Sequence, residues 1–197
     1  MTIHLGAYGI WQPAALTTPA MAAEIEALGF TTLWAAGPPV DLAGIDELLE
    51  ATSSLVVGTS ILNIWQGDPV PGSVLAPEQK VVLHTDPERA RATARPRIRH
   101  PYLGLTNYTN NLRRLGFTDE DLSGNGSDRL IDALVAHGDA PTIARRLADH
   151  HTAGADHVAI QVVTTRHATH PDLPDVELQV YDDEVFAVYQ ELAAVLF

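Results

Sequence analysis

The sequence contains no cysteine and has few basic side chains. Without cysteine there are no disulfides, thiolate nucleophiles or thiolate metal sites, so redox chemistry would need a bound cofactor. Twelve Lys and Arg residues stand against 25 Asp and Glu residues, which gives a formal net charge of -13. A field of this sign repels phosphate backbones and anionic lipids. We therefore expect neither a nucleic-acid partner nor a membrane partner.

Long apolar segments are absent too. Membrane-spanning helices need about 18 or more consecutive apolar residues, and no window of the sequence reaches this length. Met1 to Gly6 also lacks the basic segment and the apolar stretch of a secretory signal. The 197 residues, 46% hydrophobic and 19% charged, have the composition of a soluble globular protein. We expect one cytoplasmic domain that spans 1–197.

The first 65 residues alternate between strand and helix patterns. Two helices are predicted, the first with an N-cap at Thr18 and Pro19 at its first position, the second marked by Leu48. Strands that are apolar nearly throughout and are separated by single helices indicate a parallel sheet covered on both faces. The fold class is therefore α/β. Three runs predict the strands: Ile3 to Gly9, after which Trp11-Gln12-Pro13 turns the chain away, Thr31 to Ala35, and Leu55 to Ile64.

Residues 66–74 interrupt this pattern, because two glycines and two prolines within them exclude regular structure. Beyond this junction, predicted helices outnumber predicted strands. Asp86 caps a helix that should end at about Arg95, because Pro96 follows. The other predicted elements are strands at Lys80 to His84 and Val158 to Val163, helices at Thr106 to Leu115, Ser127 to Ala136 and Glu184 to Leu196, a helix capped by Asp139, and a loop at His167 to Pro174.

Six segments carry a family resemblance, and together they cover most of the chain up to about Val163. They are Gly6 to Pro13, Glu24 to Phe30, Val56 to Trp65, Leu75 to Leu83, Tyr102 to Phe117 and Gly154 to Val158. In these segments the chain resembles one subgroup of the luciferase-like, F420-dependent oxidoreductases, which are barrel proteins. The first three segments are similar to the first three βα units of that family, and the last three to its last quarter.

The resemblance implies a barrel that lacks its middle. A complete (β/α)₈ barrel takes about 250 residues, and its fourth to sixth units should lie between Trp65 and Leu75, where nine residues remain. We therefore expect a truncated TIM-barrel-like fold with about five parallel strands and surrounding helices. Residues 1–65 would supply the first three βα units, 66–74 the junction, and 75–197 the C-terminal barrel units and helices.

The outer strands of such a truncated sheet have unpaired backbone groups that must be covered. Five strands cannot close as eight do, because strand number, shear and tilt are linked. One solution is a flattened and rearranged barrel. The other is a homodimer in which each chain covers the open edge of its partner. We favour the homodimer.

The resemblance also implies a cofactor site at the C-terminal ends of the strands. In the family, the ring of coenzyme F420 or FMN lies there and exchanges a hydride with a small organic substrate. Ser60 and Ile61 match the place of a non-proline cis peptide that supports this ring, with an ordinary trans strand end as the alternative. Asn63 is the third expected cofactor-binding residue, and no catalytic side chain is identified. The expected substrate pocket is lined by Tyr8, Trp11, Trp34, Trp65, Asn107 and Tyr108.

Three basic residues could hold the phosphate of the cofactor. They are Lys80, Arg113 and Arg114, and the alternative for the two arginines is a solvated pair on a helix. Histidines do not predict a metal site. His150 and His151 are adjacent on a predicted helix and so point about 100° apart. His157, His167 and His170 add no third ligand in evident register.

These observations leave three hypotheses for function. The first is an F420- or flavin-dependent oxidoreductase that transfers a hydride to or from a small organic substrate. The second is a cofactor-free descendant that acts as a non-redox enzyme of specialised metabolism or as a small-molecule-binding protein, because a fold does not fix a function. The third is a structural protein without a ligand.

Overall fold

The computed structural model describes residues 4–36, 42–60, 74–170 and 173–197. Within these residues, six parallel strands form one sheet and two further strands form an antiparallel pair. The strands are β1 (Tyr8–Pro13), β2 (Thr32–Ala36), β3 (Val56–Ser60), β4 (Glu78–Leu83), β5 (Val135–Gly138), β6 (Val158–Val162), β7 (His167–His170) and β8 (Leu173–Gln179).

Helices surround the six-stranded sheet, whose strand order is β3-β2-β1-β6-β4-β5. This arrangement confirms the predicted α/β class and the truncated barrel-like architecture, with six parallel strands where about five were expected. The helices are α1 (Pro19–Ala27), α2 (Leu42–Glu50), α3 (Pro87–Arg99), α4 (Thr106–Arg114), α5 (Asp119–Leu122), α6 (Asp128–Leu134), α7 (Ala140–Thr152) and α8 (Asp183–Leu196). No helix in the described ranges combines the length and the apolar character needed to cross a membrane.

Capping side chains fix several helix starts, as the sequence predicts. The Thr18 hydroxyl accepts a hydrogen bond from the Met21 amide, and Pro19 occupies the first position of α1. The Asp86 carboxylate accepts from the amides of Glu88 and Arg89 at the start of α3. These contacts use amide groups that have no partner within the helix, so each helix begins at a defined residue.

Two compact units divide the chain. The first unit comprises Met1–Gln79, Arg145–Gln161 and Tyr189–Phe197. The second unit comprises Lys80–Ala144 and Val162–Val188. Each unit therefore joins segments that lie far apart in the sequence.

Each unit has its own buried apolar side chains. In the first unit, Ile10, Leu33 and Ile160 alternate with residues of the opposite sheet face and are fully buried. In the second unit, one cluster joins α3, α6 and the strands around them. Its buried members are Val82, Ala90, Ala94, Ile98, Ile131, Val135 and Val163.

Strand β1 differs from its prediction. The sequence places a strand at Ile3 to Gly9 and a turn at Trp11-Gln12-Pro13, whereas the strand runs over Tyr8–Pro13. Trp11 pairs with Trp34 and Gln12 with Ala35 in parallel register. Pro13 is tolerated because it is the last residue of the strand, where a missing N–H interrupts no further ladder.

Two helix boundaries also differ. Helix α3 continues through Pro96 to Arg99, because Pro96 lies on the exposed side, where the carbonyl that loses its helical partner can meet water. The predicted helix at Ser127 to Ala136 ends at Leu134, and β5 begins at the next residue. The predicted loop at His167 to Pro174 contains β7 and the start of β8.

Candidate functional site

One row of residues crosses four neighbouring strands of the first unit. Gly58 on β3, Trp34 on β2 and Trp11 on β1 are register partners in parallel pairing. Gln161 on β6 stands one step beyond the last registered pair of β1 and β6, Ile10 and Ile160, and so extends the row. Side chains of one register row point to the same face of a sheet. The row therefore places two indoles and one carboxamide on a common face.

The indole of Trp34 is held by a buried histidine. Trp34 Nε1 donates a hydrogen bond to His157 Nε2 at 3.0 Å, and His157 Nδ1 lies 2.8 Å from the Gly6 carbonyl oxygen. Because the carbonyl oxygen can only accept, Nδ1 carries the proton and Nε2 is the acceptor. His157 is fully buried, and burial lowers its pKa below the ordinary value, opposed by the bond to Gly6. Both nitrogens of the neutral imidazole are thus used.

Two glycines allow these rings to lie against the backbone. A Cβ atom at Gly9 would stand 2.6 Å from the Thr32 carbonyl oxygen and 2.7 Å from His157 Nε2. A Cβ atom at Gly58 would stand 2.8 Å from Cε3 of Trp34. The six-membered ring of the indole therefore passes over Gly58, at a distance that a larger residue would not permit. The glycine at position 58 and the hydrogen bond to His157 together fix the plane of the Trp34 ring.

Part of the row is accessible to a ligand. Trp11 and Trp34 are both half-buried, so part of each indole remains accessible. Gln161 is 2% exposed, and its Oε1 has no hydrogen-bond partner among the residues that the structure describes. Indole faces stack on flat rings, and a buried amide oxygen calls for a donor. The chemistry of the row suits a planar ligand that carries an N–H group.

The predicted pocket residues separate into different places. Trp11 and Trp34 are neighbours in the row. Tyr8 lies an odd number of residues from Trp11 on the same strand, so it faces the opposite side of the sheet. There its ring contacts His151 and Phe197 edge-on, and burial raises the pKa of Tyr8. The structure does not bring Tyr8 to the two tryptophans.

Asn107 and Tyr108 lie on α4, in the second unit. Asn107 is exposed, and Tyr108 packs edge-on against Tyr102, with ring centroids 4.8 Å apart. The backbone of Ser60 ends β3 and pairs with Ala36. The remaining predicted site residues lie outside the described ranges, and these are Ile61, Asn63 and Trp65.

The three basic residues expected at a phosphate belong to the second unit and have protein partners. Lys80 Nζ donates to the Tyr102 hydroxyl at 3.0 Å and lies 4.7 Å from the centre of that ring. Arg113 bonds the Asp119 carboxylate at 2.8 Å. Arg114 donates to the Asn111 side chain at 2.6 Å.

The second unit contains a surface cavity of about 380 Å³, lined by Ala92, Thr93, Pro96, Thr165 and His167. It also contains a carboxylate that accepts three hydrogen bonds from two side chains. Asp132 accepts two bonds from Arg91 at 2.8 Å and one from His137 Nε2 at 2.9 Å. The bond from Arg91 is the main reason why the pKa of Asp132 falls to about 2. In the described part of the chain, no group of three or more potential ligands is placed to bind a metal.

His157 and Gln161 are parts of the site that the sequence does not single out as ligand residues. Gln161 is a polar residue inside the apolar run Val158 to Val163, and a buried polar side chain in such a run is a signal for function or for a specific partner. His157 precedes the same run. Its partners, Gly6 and Trp34, are 151 and 123 residues away, so local pattern cannot assign its role.

Comparisons with known proteins identify no relative. No family model, no curated protein and no solved structure matches this chain. The resemblance to the luciferase-like oxidoreductases therefore stays a prediction that rests on the sequence segments quoted above.

Proposed function

We propose that the row of Trp11, Trp34 and Gln161 binds the ring of coenzyme F420 or FMN, and that the protein transfers a hydride to or from a small organic substrate. The observation that carries this proposal is the pair of half-buried indoles on adjacent strands, one of them fixed by His157. Stacking on an aromatic side chain contributes about 1–3 kcal/mol per ring. Two indoles would therefore orient a flat ring and keep water from one of its faces.

The residues of the row fit the ring of such a cofactor. The carboxamide oxygen of Gln161 is buried without a partner in the described residues, and the ring offers polar edge groups. When bound, the ring would accept or release the hydride, and the contribution of the chain would be binding and orientation. His157 is expected to stay neutral and structural, because both of its nitrogens are already bonded.

The phosphate of the cofactor fits the first unit less well. Of the twelve Lys and Arg residues, only Arg145 and Arg146 fall in that unit, and both have protein partners. Eleven acidic residues share the unit, which gives a formal charge of 2 − 11 = -9. This charge favours the second candidate, a cofactor-free protein that binds a flat, uncharged molecule for non-redox chemistry or for storage and transport. One titration distinguishes the two candidates.

The test is a titration with F420, FMN and riboflavin, which has the flavin ring but no phosphate. Ligand fluorescence and the shift in the thermal midpoint report binding. We expect micromolar dissociation constants for F420 or FMN, weakened at least tenfold in Trp11→Leu and unchanged in Leu49→Ala, an exposed residue of α2. Binding of riboflavin alone would support the second candidate. Flat traces for all three ligands would overturn the first candidate and favour the second.

We also propose a homodimer in the cytoplasm. The outermost strands of the sheet order are β3 and β5, and an outer strand can pair with the same strand of a second chain. The lack of cysteine fits a compartment where disulfides do not form. Sedimentation equilibrium should give twice the 21.2 kDa mass of the chain. A single species at 21.2 kDa would overturn the dimer.

A further inference from the structure

We infer that Gln161 selects ligands of the row by accepting a hydrogen bond from a ring N–H group. This inference rests on the proposed function, because it concerns the same face of the sheet. It adds a specificity-determining residue and a chemical class, namely flat rings that carry a lactam or imide N–H at the edge. The flavin and deazaflavin rings belong to this class, since their pyrimidine portion has an N–H between two carbonyl groups.

The evidence begins with the burial of Gln161. Its side chain is 2% exposed, yet its Oε1 has no partner among the described residues. Buried polar atoms in folded proteins are nearly always satisfied, so an acceptor without a partner on a central strand needs a reason. Gln161 stands beside Trp11 in the row, where a ring stacked on the indoles would present its edge. A donor on that edge would satisfy the oxygen.

A second glutamine of the same sheet has a structural role and serves as a comparison for Gln161. Gln12 lies on β1 and is fully buried. Its Nε2 donates to the Thr17 hydroxyl at 2.9 Å, and its Oε1 accepts from the Tyr189 hydroxyl at 3.3 Å. Gln12 is one residue from Trp11 and so faces the opposite side of the sheet. The satisfied glutamine lies on the packed face, and Gln161 lies on the face with the accessible indoles.

The carboxamide is suited to discrimination between close analogues. It offers an acceptor and a donor side by side, so it can pair with an N–H and an adjacent carbonyl of a ring edge. A site that is built to bond a ligand N–H rejects an analogue that lacks it, because the acceptor is then left buried and unsatisfied. We expect this rejection to amount to about tenfold or more in affinity.

The experiment compares riboflavin with N3-methylriboflavin, in which the ring N–H is replaced by a methyl group. Both lack phosphate, so the measurement does not depend on how a phosphate is held. Dissociation constants come from the quenching of ligand fluorescence. We expect the wild-type protein to bind riboflavin at least tenfold more tightly than the methylated ligand. In Gln161→Met, which keeps the side-chain length, this ratio should fall to about one.

Controls separate the possible failures. Gln161→Met should leave the thermal midpoint of the free protein unchanged or raise it, because it removes an unsatisfied oxygen. Gln12→Met should lower the midpoint and keep the ligand ratio; if that variant does not fold, Leu49→Ala takes its place. Equal binding of both ligands by the wild-type protein would overturn the inference while the proposed function stands. A ratio that persists in Gln161→Met would also overturn it. No binding of either flavin would overturn the proposed function itself.

Discussion

The two units hold their polar groups in different ways. In the first unit, the polar contacts of the row are uncharged: the Trp34 indole donates to the neutral imidazole of His157, and this imidazole donates to the Gly6 carbonyl oxygen. The two rings pack over Gly9 and Gly58. In the second unit, helices α3 and α6 are joined by ion pairs, from Arg91 to Asp132 at 2.8 Å and from Arg95 to Asp128. We therefore expect the stability of the first unit to depend on close packing and the stability of the second unit to depend on ion pairs.

The difference follows from where the cations are. Ten of the twelve Lys and Arg residues fall in the second unit, against fourteen acidic residues, so opposite charges can pair there. The first unit has two basic residues for eleven acidic ones. It cannot be stabilised by many ion pairs, and close packing of neutral groups takes their place. Close packing responds strongly to small changes in volume, whereas exposed ion pairs contribute little.

The largest expected effect comes from Gly9→Ala in the first unit. The new methyl group would meet a backbone oxygen at 2.6 Å and His157 Nε2 at 2.7 Å, so the strand itself would have to shift. We expect a loss of about 3 kcal/mol in the free energy of unfolding, measured by urea denaturation with tryptophan fluorescence. The matched control is Gly44→Ala in α2, where nothing lies within 4 Å of the new Cβ. The control should gain about 0.5–1 kcal/mol from helix propensity, and equal effects at both sites would contradict the packing described here.

The next effect concerns the hydrogen bond between Trp34 and His157. Trp34→Phe keeps an aromatic ring but removes the N–H that His157 Nε2 accepts. A buried acceptor left without a donor costs about 1–3 kcal/mol, and we expect a loss of this size. Nitrogen NMR of His157 should show the proton on Nδ1 in the wild-type protein. A proton on Nε2, or no loss of stability in the variant, would contradict this pairing.

The pH dependence should separate the two units. Burial lowers the pKa of His157, so its unfolded form binds the proton more readily. The first unit is then most stable above pH 6.5, the ordinary value for histidine, and loses stability as the pH falls below it. The pKa of Asp132 is lowered to about 2 from 3.8, so its contribution is complete above about pH 4 and is lost towards pH 2.

Amide hydrogen exchange in β1 and in α6 measures this contrast. Protection in β1 should weaken between pH 7 and pH 5, and protection in α6 should weaken only below pH 4. Asp132→Asn should cost about 1 kcal/mol at pH 7, a value kept small because the carboxylate is 38% exposed. The same variant should remove the acid sensitivity of α6 and leave that of β1. Parallel loss of protection in both units would show that charge does not distinguish them.

The smallest effect is expected at an exposed ion pair of the second unit. Arg113 and Asp119 lie 2.8 Å apart, but their side chains are 48% and 83% exposed. Water screens such a pair, so Arg113→Gln should change the free energy of unfolding by less than about 0.5 kcal/mol. Urea denaturation provides the measurement. A loss as large as that of Asp132→Asn would mean that exposure does not set the strength of ion pairs in this unit.

Much of the fold could be predicted from the sequence, because its signals are local. The cap at Thr18, the cap at Asp86 and the alternation of apolar strands with helices are all visible in short windows. The sequence pattern does not reveal strand β5, because its four residues follow α6 without any intervening turn residue. The sequence predicts too short a helix α3, because a proline is normally a signal for the end of a helix and the exposure of Pro96 is not visible in the sequence.

The candidate site could be predicted only in part. Their positions near strand ends single out Trp11 and Trp34 as site residues. Which other predicted residues share their face depends on the range of β1. With the strand placed at Tyr8–Pro13, alternation alone assigns Tyr8 and Trp11 to opposite faces. The roles of His157 and Gln161 depend on the placement of β6 beside β1, a contact that no short window of sequence contains.

That placement has a consequence for the order of folding. Strand β1 is synthesised about 150 residues before its neighbour β6. The first unit cannot complete its sheet or bury His157 until β6 has left the ribosome. Contacts of such high sequence separation form slowly. A nascent chain that has reached only α6 should therefore expose one edge of β1, which makes this period the one in which a chaperone is most useful.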